Sequence, residues 1–334
     1  MSWRMPAEWE PHDRTWMAWP STGPCVADLS EEGVERVRGA WANVANAVAR
    51  FEPVTMVVDP ADEADIARWL DPAIEISVAP LDDCWMRDMG PTFVVGEGLG
   101  AVDWIFNGWG AQDWAHWEHD ALVGRHVGEA AGASIITSSM VNEGGGIHVD
   151  GAGTVLVTET VQLDPGRNPT LDKAAVEAEL ISTLGIERVV WLPRGLTRDY
   201  ETFGTRGHID IVAAFAGPDT ILFHDQRDPA HPDHEVSALI VETLRAAGDW
   251  NLVPVAAPTQ LTDDEGWVDW SYINHLVVNG GVILCGFDDE NDAAAAATLQ
   301  AAYPDREVVL VDARPIFDRG GGIHCITQQQ PSVR

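Results

Sequence analysis

Lysine is almost missing from this chain: Lys173 is the only one in 334 residues, and basic residues number 20 against 53 acidic ones. The formal charge of −33 argues against partners that basic patches recruit, so nucleic acid and anionic membrane surfaces are poor candidates. A small cationic partner is favoured, although most of such a surplus ordinarily serves as solvated surface. Long apolar runs are missing too. No stretch approaches the ~18 apolar residues of a membrane helix, and Met1–Pro20 has neither a basic start nor an extended apolar core. These absences predict a cytoplasmic chain. Cysteine is scarce as well. Cys25, Cys84, Cys285 and Cys325 contain no Cys-x-x-Cys pair and are too few to staple a chain of this size. A cysteine is ordinarily a small buried hydrophobe, so context must single one out.

Context does so through a repeat. Gly-Gly-Gly-Ile-His occurs at 144–148 and again at 320–324, and only the second copy runs straight into a cysteine, Cys325. A glycine run brings backbone close to something, and a thiol placed there is a candidate nucleophile.

The duplication belongs to a wider repeat. Strand–turn–strand patterns recur roughly sixty residues apart: Pro91–Val95 with turn 96–98, Ile147–Val149 with turn 150–153, His208–Phe215 with turn 216–219, and Ile273–Val278 with turn 279–281. Between them, apolar residues at helical spacing mark a helix through Val34, Val37, Trp41, Val44 and Val48, capped by Asp28 or Ser30. Similar patterns fill 117–131, 171–184, 234–247 and 292–303. Each helix precedes a short apolar strand: Val54–Val58, Ser134–Thr137, Val189–Leu192, Leu252–Val255 and Val308–Val311. The last glycine run would supply a closing hairpin-like strand. Five such units predict one α/β domain over 1–334, a closed pseudo-fivefold ring rather than two unrelated domains. In a ring the equivalent strand starts converge, and those starts carry Asp88, Glu143 with His148, His208 and Cys325.

On a strand, residues i and i+2 share a face. His208 and Asp210 would then point together, whereas His324 and Cys325 would point apart, so the base comes from elsewhere and His208 is the best candidate. His148 and Asp150 have the same spacing, but Asp150 opens a turn and the pair reads as structural. Carboxylates around a thiol raise its pKa, the wrong direction for a nucleophile. They make sense if the substrate is a cation, and a planar guanidinium rich in N–H donors suits two carboxylates well.

Here the chain resembles a known family. Met5-Pro6-Ala7-Glu8-Trp9-Glu10-Pro11-His12, Trp85-Met86-Arg87-Asp88-Met89-Gly90-Pro91, Glu143-Gly144-Gly145-Gly146-Ile147-His148, Gly207-His208-Ile209-Asp210 and Gly321-Gly322-Ile323-His324-Cys325 resemble the agmatine deiminases. Phe106-Asn107-Gly-Trp-Gly, Gly166-Arg-Asn-Pro169 and Asp289-Glu-Asn-Asp292 extend the match over the whole chain. The resemblance implies the pentein fold, a fivefold α/β propeller of ββαβ repeats. It implies Cys325 as nucleophile, His208 as general acid and then base, Asp88 and Asp210 as guanidinium ligands, Glu143 steadying His208, and Trp85 lining the substrate's chain. It implies no metal and no organic cofactor, and it carries the expectation of a homo-oligomer.

Two segments depart from the family. After Trp19-Pro20 the chain reads Ser21-Thr-Gly-Pro-Cys25-Val-Ala-Asp28, and the short acidic loop before Gly207 is replaced by the longer Arg198–Arg206. Arg206 beside the site would welcome a carboxylate, which makes an ω-guanidino acid an alternative substrate to agmatine, unless Arg206 pairs with Asp199 or Glu201 and points away. An amidinotransferase of the same fold, a metal-dependent hydrolase on the two His-x-Asp pairs, and a non-catalytic binding protein are the rival readings.

Overall fold

The computed structural model describes residues 3–333. Its first long helix, Glu31–Val48, starts where Ser30 Oγ accepts the Gly33 N–H, and Glu31 and Glu32 place negative charge at its N-terminus. It buries Val37, Trp41, Val44 and Val48 against the largest core cluster, with Met56, Leu284 and Ile316. This helix links strand β1 (His12–Ala18) to β2 (Val54–Val58), which pairs parallel to it, and a further parallel strand β3 (Glu75–Val78) lies at the sheet edge. That edge strand alternates Ile76 and Val78 with Glu75 and Ser77, and it lies outside the helix-then-strand repeat read from the sequence.

The other four sheets repeat one plan. A hairpin leads into a helix, and the helix returns the chain as a strand parallel to the second hairpin strand. In the second sheet β4 (Thr92–Val95) and β5 (Leu99–Ile105) form the hairpin, and β6 (Ser134–Val141) returns after the helix Val123–Ala130. The third holds β7 (His148–Val149), β8 (Thr154–Thr158) and β9 (Arg188–Leu192), with the helix Lys173–Leu184. β10 (Ala213–Gly217), β11 (Thr220–Asp225) and β12 (Asn251–Ala256) make the fourth, with Asp233–Ala247 as its helix. The fifth comprises β13 (Leu276–Val278), β14 (Gly281–Gly286) and β15 (Glu307–Asp312), joined through Asp292–Ala302. These are ββαβ units, and the chain has the pentein fold.

The ends of the chain complete the pattern. The first sheet obtains its outer hairpin strand from the C-terminus: β16 (Thr327–Pro331) pairs antiparallel with β1, from Met17 opposite Thr327 to His12 opposite Pro331. Trp16 Nε1 donates to Gln330 Oε1 across this seam at 3.0 Å. The closing strand thus begins two residues after Cys325, not within the glycine run.

The same displacement holds around the ring. Asp88 lies in the short helix Met86–Met89, Glu143 precedes the 3-10 turn Gly144–Gly146, and His208 precedes the 3-10 turn Ile209–Ile211. All occupy turns just before β4, β7 and β10, so the alternation of faces expected along a strand does not govern His208 and Asp210. A strand commits its backbone to the ladder, whereas a turn leaves backbone free to aim a side chain. A chain ending at Ile326 lacks the seam with β1 and is expected to lose cooperative thermal unfolding. A sharp calorimetric transition at the full-length temperature would show that ring closure does not depend on β16.

Candidate active site

The two glycine turns form the floor of one buried cluster. A Cβ on Gly145 would stand 2.5 Å from His208 Nδ1 and 2.9 Å from Asp88 Oδ1. A Cβ on Gly321 would stand 2.6 Å from the Trp85 ring and 3.1 Å from Cys325 Sγ. Each middle glycine is therefore a close approach of backbone to a reactive side chain, which accounts for the repeated pentapeptide.

His208 is held at both ends. Its Nε2 lies 3.2 Å from Glu143 Oε2, while Nδ1, 3.7 Å from Asp88 Oδ1, has no hydrogen-bond partner. The Asp199 carboxylate fixes the approach of the chain, accepting the backbone N–H groups of Thr205, Gly207 and His208 at 2.6, 2.7 and 3.0 Å. Burial alone would push the imidazole pKa down, but the Asp88 and Glu143 carboxylates outweigh it and raise it to about 9. Glu143 is buried too, yet Arg167 Nε reaches both its oxygens at 2.9 Å, and Arg167 with His208 holds its carboxyl down at about 2.

On the other side stand the thiol and Asp210. Cys325 Sγ lies 3.2 Å from Asn274 Nδ2 and 3.5 Å from Asp210 Oδ2. Among the described residues no hydrogen bond joins His208 to this thiol. Asp210 Oδ2 is 2.9 Å from His324 Nδ1, whose Nε2 is 2.7 Å from Glu8 Oε1, so a His–Glu relay braces this carboxylate from behind. Arg87 closes the rear, donating to the His324 carbonyl and to Gln329. Burial raises the Cys325 thiol well above its ordinary value, and Asp210 and Asp88 raise it further. Burial likewise lifts the Asp88 carboxyl to about 6, with Asp210 and Glu143 adding to it against the pull of His208. Asp210 Oδ1 is buried without a partner. A buried, unpartnered carboxylate oxygen on Asp210 and a buried, unpartnered imidazole nitrogen on His208 thus accompany the thiol, and such a set suits a flat, donor-rich cation.

A cleft leads in between Trp85, Trp109, Trp114 and Phe203, with Asp83, Asp88 and Cys325 also lining it. Trp109 stacks on Trp114 with ring centroids 5.3 Å apart, and its Nε1 donates to Asp88 Oδ2 at 2.9 Å. The only basic group of the lining is Arg319, whose Nη2 donates to the Pro24 carbonyl at 2.6 Å. Arg206 is absent from this lining. Its Nη1 contacts both oxygens of Asp164 at 2.9 Å, so its partner is neither Asp199 nor Glu201. His148 accepts the Phe215 N–H and packs behind the cluster against Glu8 (3.9 Å) and the His324 ring, whereas Asp150 accepts the N–H groups of Ala152 and Thr154 in its own turn, so the second His-x-Asp pair does not act as a unit.

Sequence reasoning passed over several groups. Asn274 sits before β13, the one strand start to which it assigned no polar residue, and the fivefold logic itself could have found it. Arg167 and Trp109 lay inside motifs that carried the resemblance without a role. Glu8 and His324 also lay inside such motifs, but their pairing joins opposite ends of the chain and left no local signal.

The family model of the Porphyromonas-type peptidyl-arginine deiminases matches residues 4–331. A Streptomyces coelicolor protein provisionally called an agmatine deiminase is 57% identical over 339 residues, covering 99% of each chain. The agmatine deiminase of Ectopseudomonas mendocina is 40% identical, over 98% of this chain and 95% of its own. A solved structure of the Enterococcus faecalis agmatine deiminase superposes with a TM-score of 0.92 at 33% identity, over 100% of this chain and 97% of that one.

The raised His208 pKa has a stability consequence. The folded chain holds this proton more tightly than the unfolded one, so the contribution is complete below about pH 6.5 and is lost as pH rises through about 9. Replacing Glu143 with Gln removes one of the anions responsible. An NMR pH titration of the His208 imidazole should then show a midpoint clearly lower than in the unaltered protein; an unchanged midpoint would refute the pairing as its cause.

Proposed function

The chain belongs to the Porphyromonas-type peptidyl-arginine deiminase family, and from that premise we propose that it is a guanidine deiminase whose substrate is agmatine. The observation that carries this reading is Cys325 Sγ 3.5 Å from Asp210 Oδ2, with Asp210 Oδ1 and His208 Nδ1 buried and unpartnered. Asp88 and Asp210 take the guanidinium nitrogens. The bound cation cancels their repulsion of a negative sulfur, so in the complex the Cys325 thiol loses its proton to solvent and attacks as the thiolate.

Attack of Cys325 on the guanidinium carbon forms a C–S bond. A pKa near 9 keeps His208 protonated at neutral pH, and its Nδ1–H gives a proton to the departing nitrogen as the C–N bond breaks. Ammonia leaves and an amidino-thioether remains. His208, now neutral, takes a proton from the attacking water, and collapse breaks the C–S bond to give the N-carbamoyl product. Glu143, fixed by Arg167, keeps the imidazole oriented through Nε2 while Nδ1 works.

The tail of the substrate would run outward past Trp85. Asp83 lies along that route, and Arg206 is spent on Asp164, which favours an amine-ended tail over a carboxylate.

Ammonia and N-carbamoyl product should form from agmatine without any added amine, and faster than from 4-guanidinobutyrate. Cys325→Ala should lower kcat by at least ~10³-fold. Faster turnover of 4-guanidinobutyrate would overturn the assignment of the tail, and a requirement for an acceptor amine would mark an amidinotransferase instead.

A further inference from the structure

The segment that departs from the family, Ser21–Asp28, does not float beside the cleft. Gly23, at φ +79°, packs so closely that a Cβ there would stand 1.8 Å from the Asp82 carbonyl oxygen. Backbone contact therefore presses this segment onto the chain at Asp82–Cys84 and carries Cys25 with it. The result is a buried group of three ligating side chains: Cys25, Asp83 and Cys84 present one sulfur or oxygen each, all within 4.8 Å of one another. Cys84 Sγ is 3.3 Å from Asp83 Oδ1, and Asp83 Oδ2 is buried with no partner.

We infer that Cys25, Asp83 and Cys84 form a binding site for one soft divalent cation of the zinc or cadmium class, set in the wall of the substrate cleft. Zinc held tetrahedrally by sulfur at ~2.3 Å and oxygen at ~2.1 Å separates its ligand atoms by roughly 3.5–3.8 Å. The cluster, with its atoms within 4.8 Å of one another and Cys84 Sγ 3.3 Å from Asp83 Oδ1, brackets that spacing. Two thiolates with one carboxylate are a donor set for soft metals, not for magnesium or calcium. Without an ion the cluster holds protons instead: burial pushes the Cys25 thiol up to about 12 and the Asp83 carboxyl to about 6. The surroundings add a further buried carboxyl, Asp120, raised by burial and by Asp83 to about 8, and one cation, Arg319.

Three protein ligands leave a fourth position, and Pro24 and Asp83, which both line the cleft, set the site against its wall. A divalent charge there opposes the entry of a cationic substrate. This second consequence rests on the proposed activity, whereas binding does not.

The test is titration of Cd²⁺ into Cys325→Ala protein, which removes the other cleft thiol, followed by sulfur-to-cadmium charge-transfer absorption and proton release. One equivalent should bind with release of about two protons, and Cys25→Ser and Cys84→Ser should each weaken binding by at least ~100-fold. No charge-transfer band, or an unchanged band in both serine variants, overturns the site. With the unaltered enzyme and agmatine, Zn²⁺ should inhibit competitively, and Cys25→Ser should relieve that inhibition at least ~10-fold. Inhibition retained in Cys25→Ser overturns the cleft-side consequence. Absence of agmatine turnover would strike the proposed activity alone, since the cadmium titration needs no substrate.

Discussion

Two carboxylates buried beside a thiol are the constraint on which the rest of this structure turns. Asp88 and Asp210 are both nearly inaccessible, and burying an uncompensated carboxylate costs several kcal/mol. The fold meets the cost asymmetrically. Asp210 is braced by His324 and Glu8 and is held below the usual carboxylate range despite its burial. Asp88 receives the Gly145 N–H and the Trp109 indole, and its pKa stays raised at about 6. Full compensation of both would leave nothing for a cation to do. Asp210 Oδ1 and His208 Nδ1 are left unpaired, an acceptor and a titratable nitrogen available to a bound cation.

The ring explains how so many charged groups reach one point. Each sheet begins just after a turn, and five turns deliver Asp88, Glu143, His208 with Asp210, Asn274 and Cys325. Because the groups come from separate units, their backbones do not compete for the same space. The narrow places, where Gly145 and Gly321 pass the reactive atoms, are where side chains are absent. Closure through β16 then fixes Cys325, since its carbonyl accepts the Arg87 N–H at 3.0 Å two residues before the strand that pairs with β1.

Much of this was legible because the signals were local. The spacing of Val34, Val37, Trp41 and Val44, and the hairpin turns after Val95, Val149 and Val278, each record a choice made within a few residues. The edge strand Glu75–Val78 was not, because its alternation of Ile76 and Val78 with Glu75 and Ser77 spans only four residues and follows no helix of the repeat. Treating His208-Ile209-Asp210 as strand failed for a different reason. A 3-10 turn and a strand differ there in where the backbone hydrogen bonds go, and that depends on Asp199 nine residues away. The pairing of Arg206 with Asp164 lay beyond reach altogether, since Asp164 is distant in the chain and in no motif.

The same distinction separates the thiols. Cys325 and Cys25 are both buried, and burial raises both, so accessibility and acidity do not tell nucleophile from ligand. Their neighbours do. Cys325 lies 3.5 Å from the Asp210 carboxylate, whose other oxygen is unpartnered, and the proposed attack on a cationic carbon rests on that pairing. Cys25 stands beside a second thiol and the Asp83 carboxylate, the donor set on which the proposed metal site rests. Chemistry in this cleft follows from which buried anion has a histidine within reach.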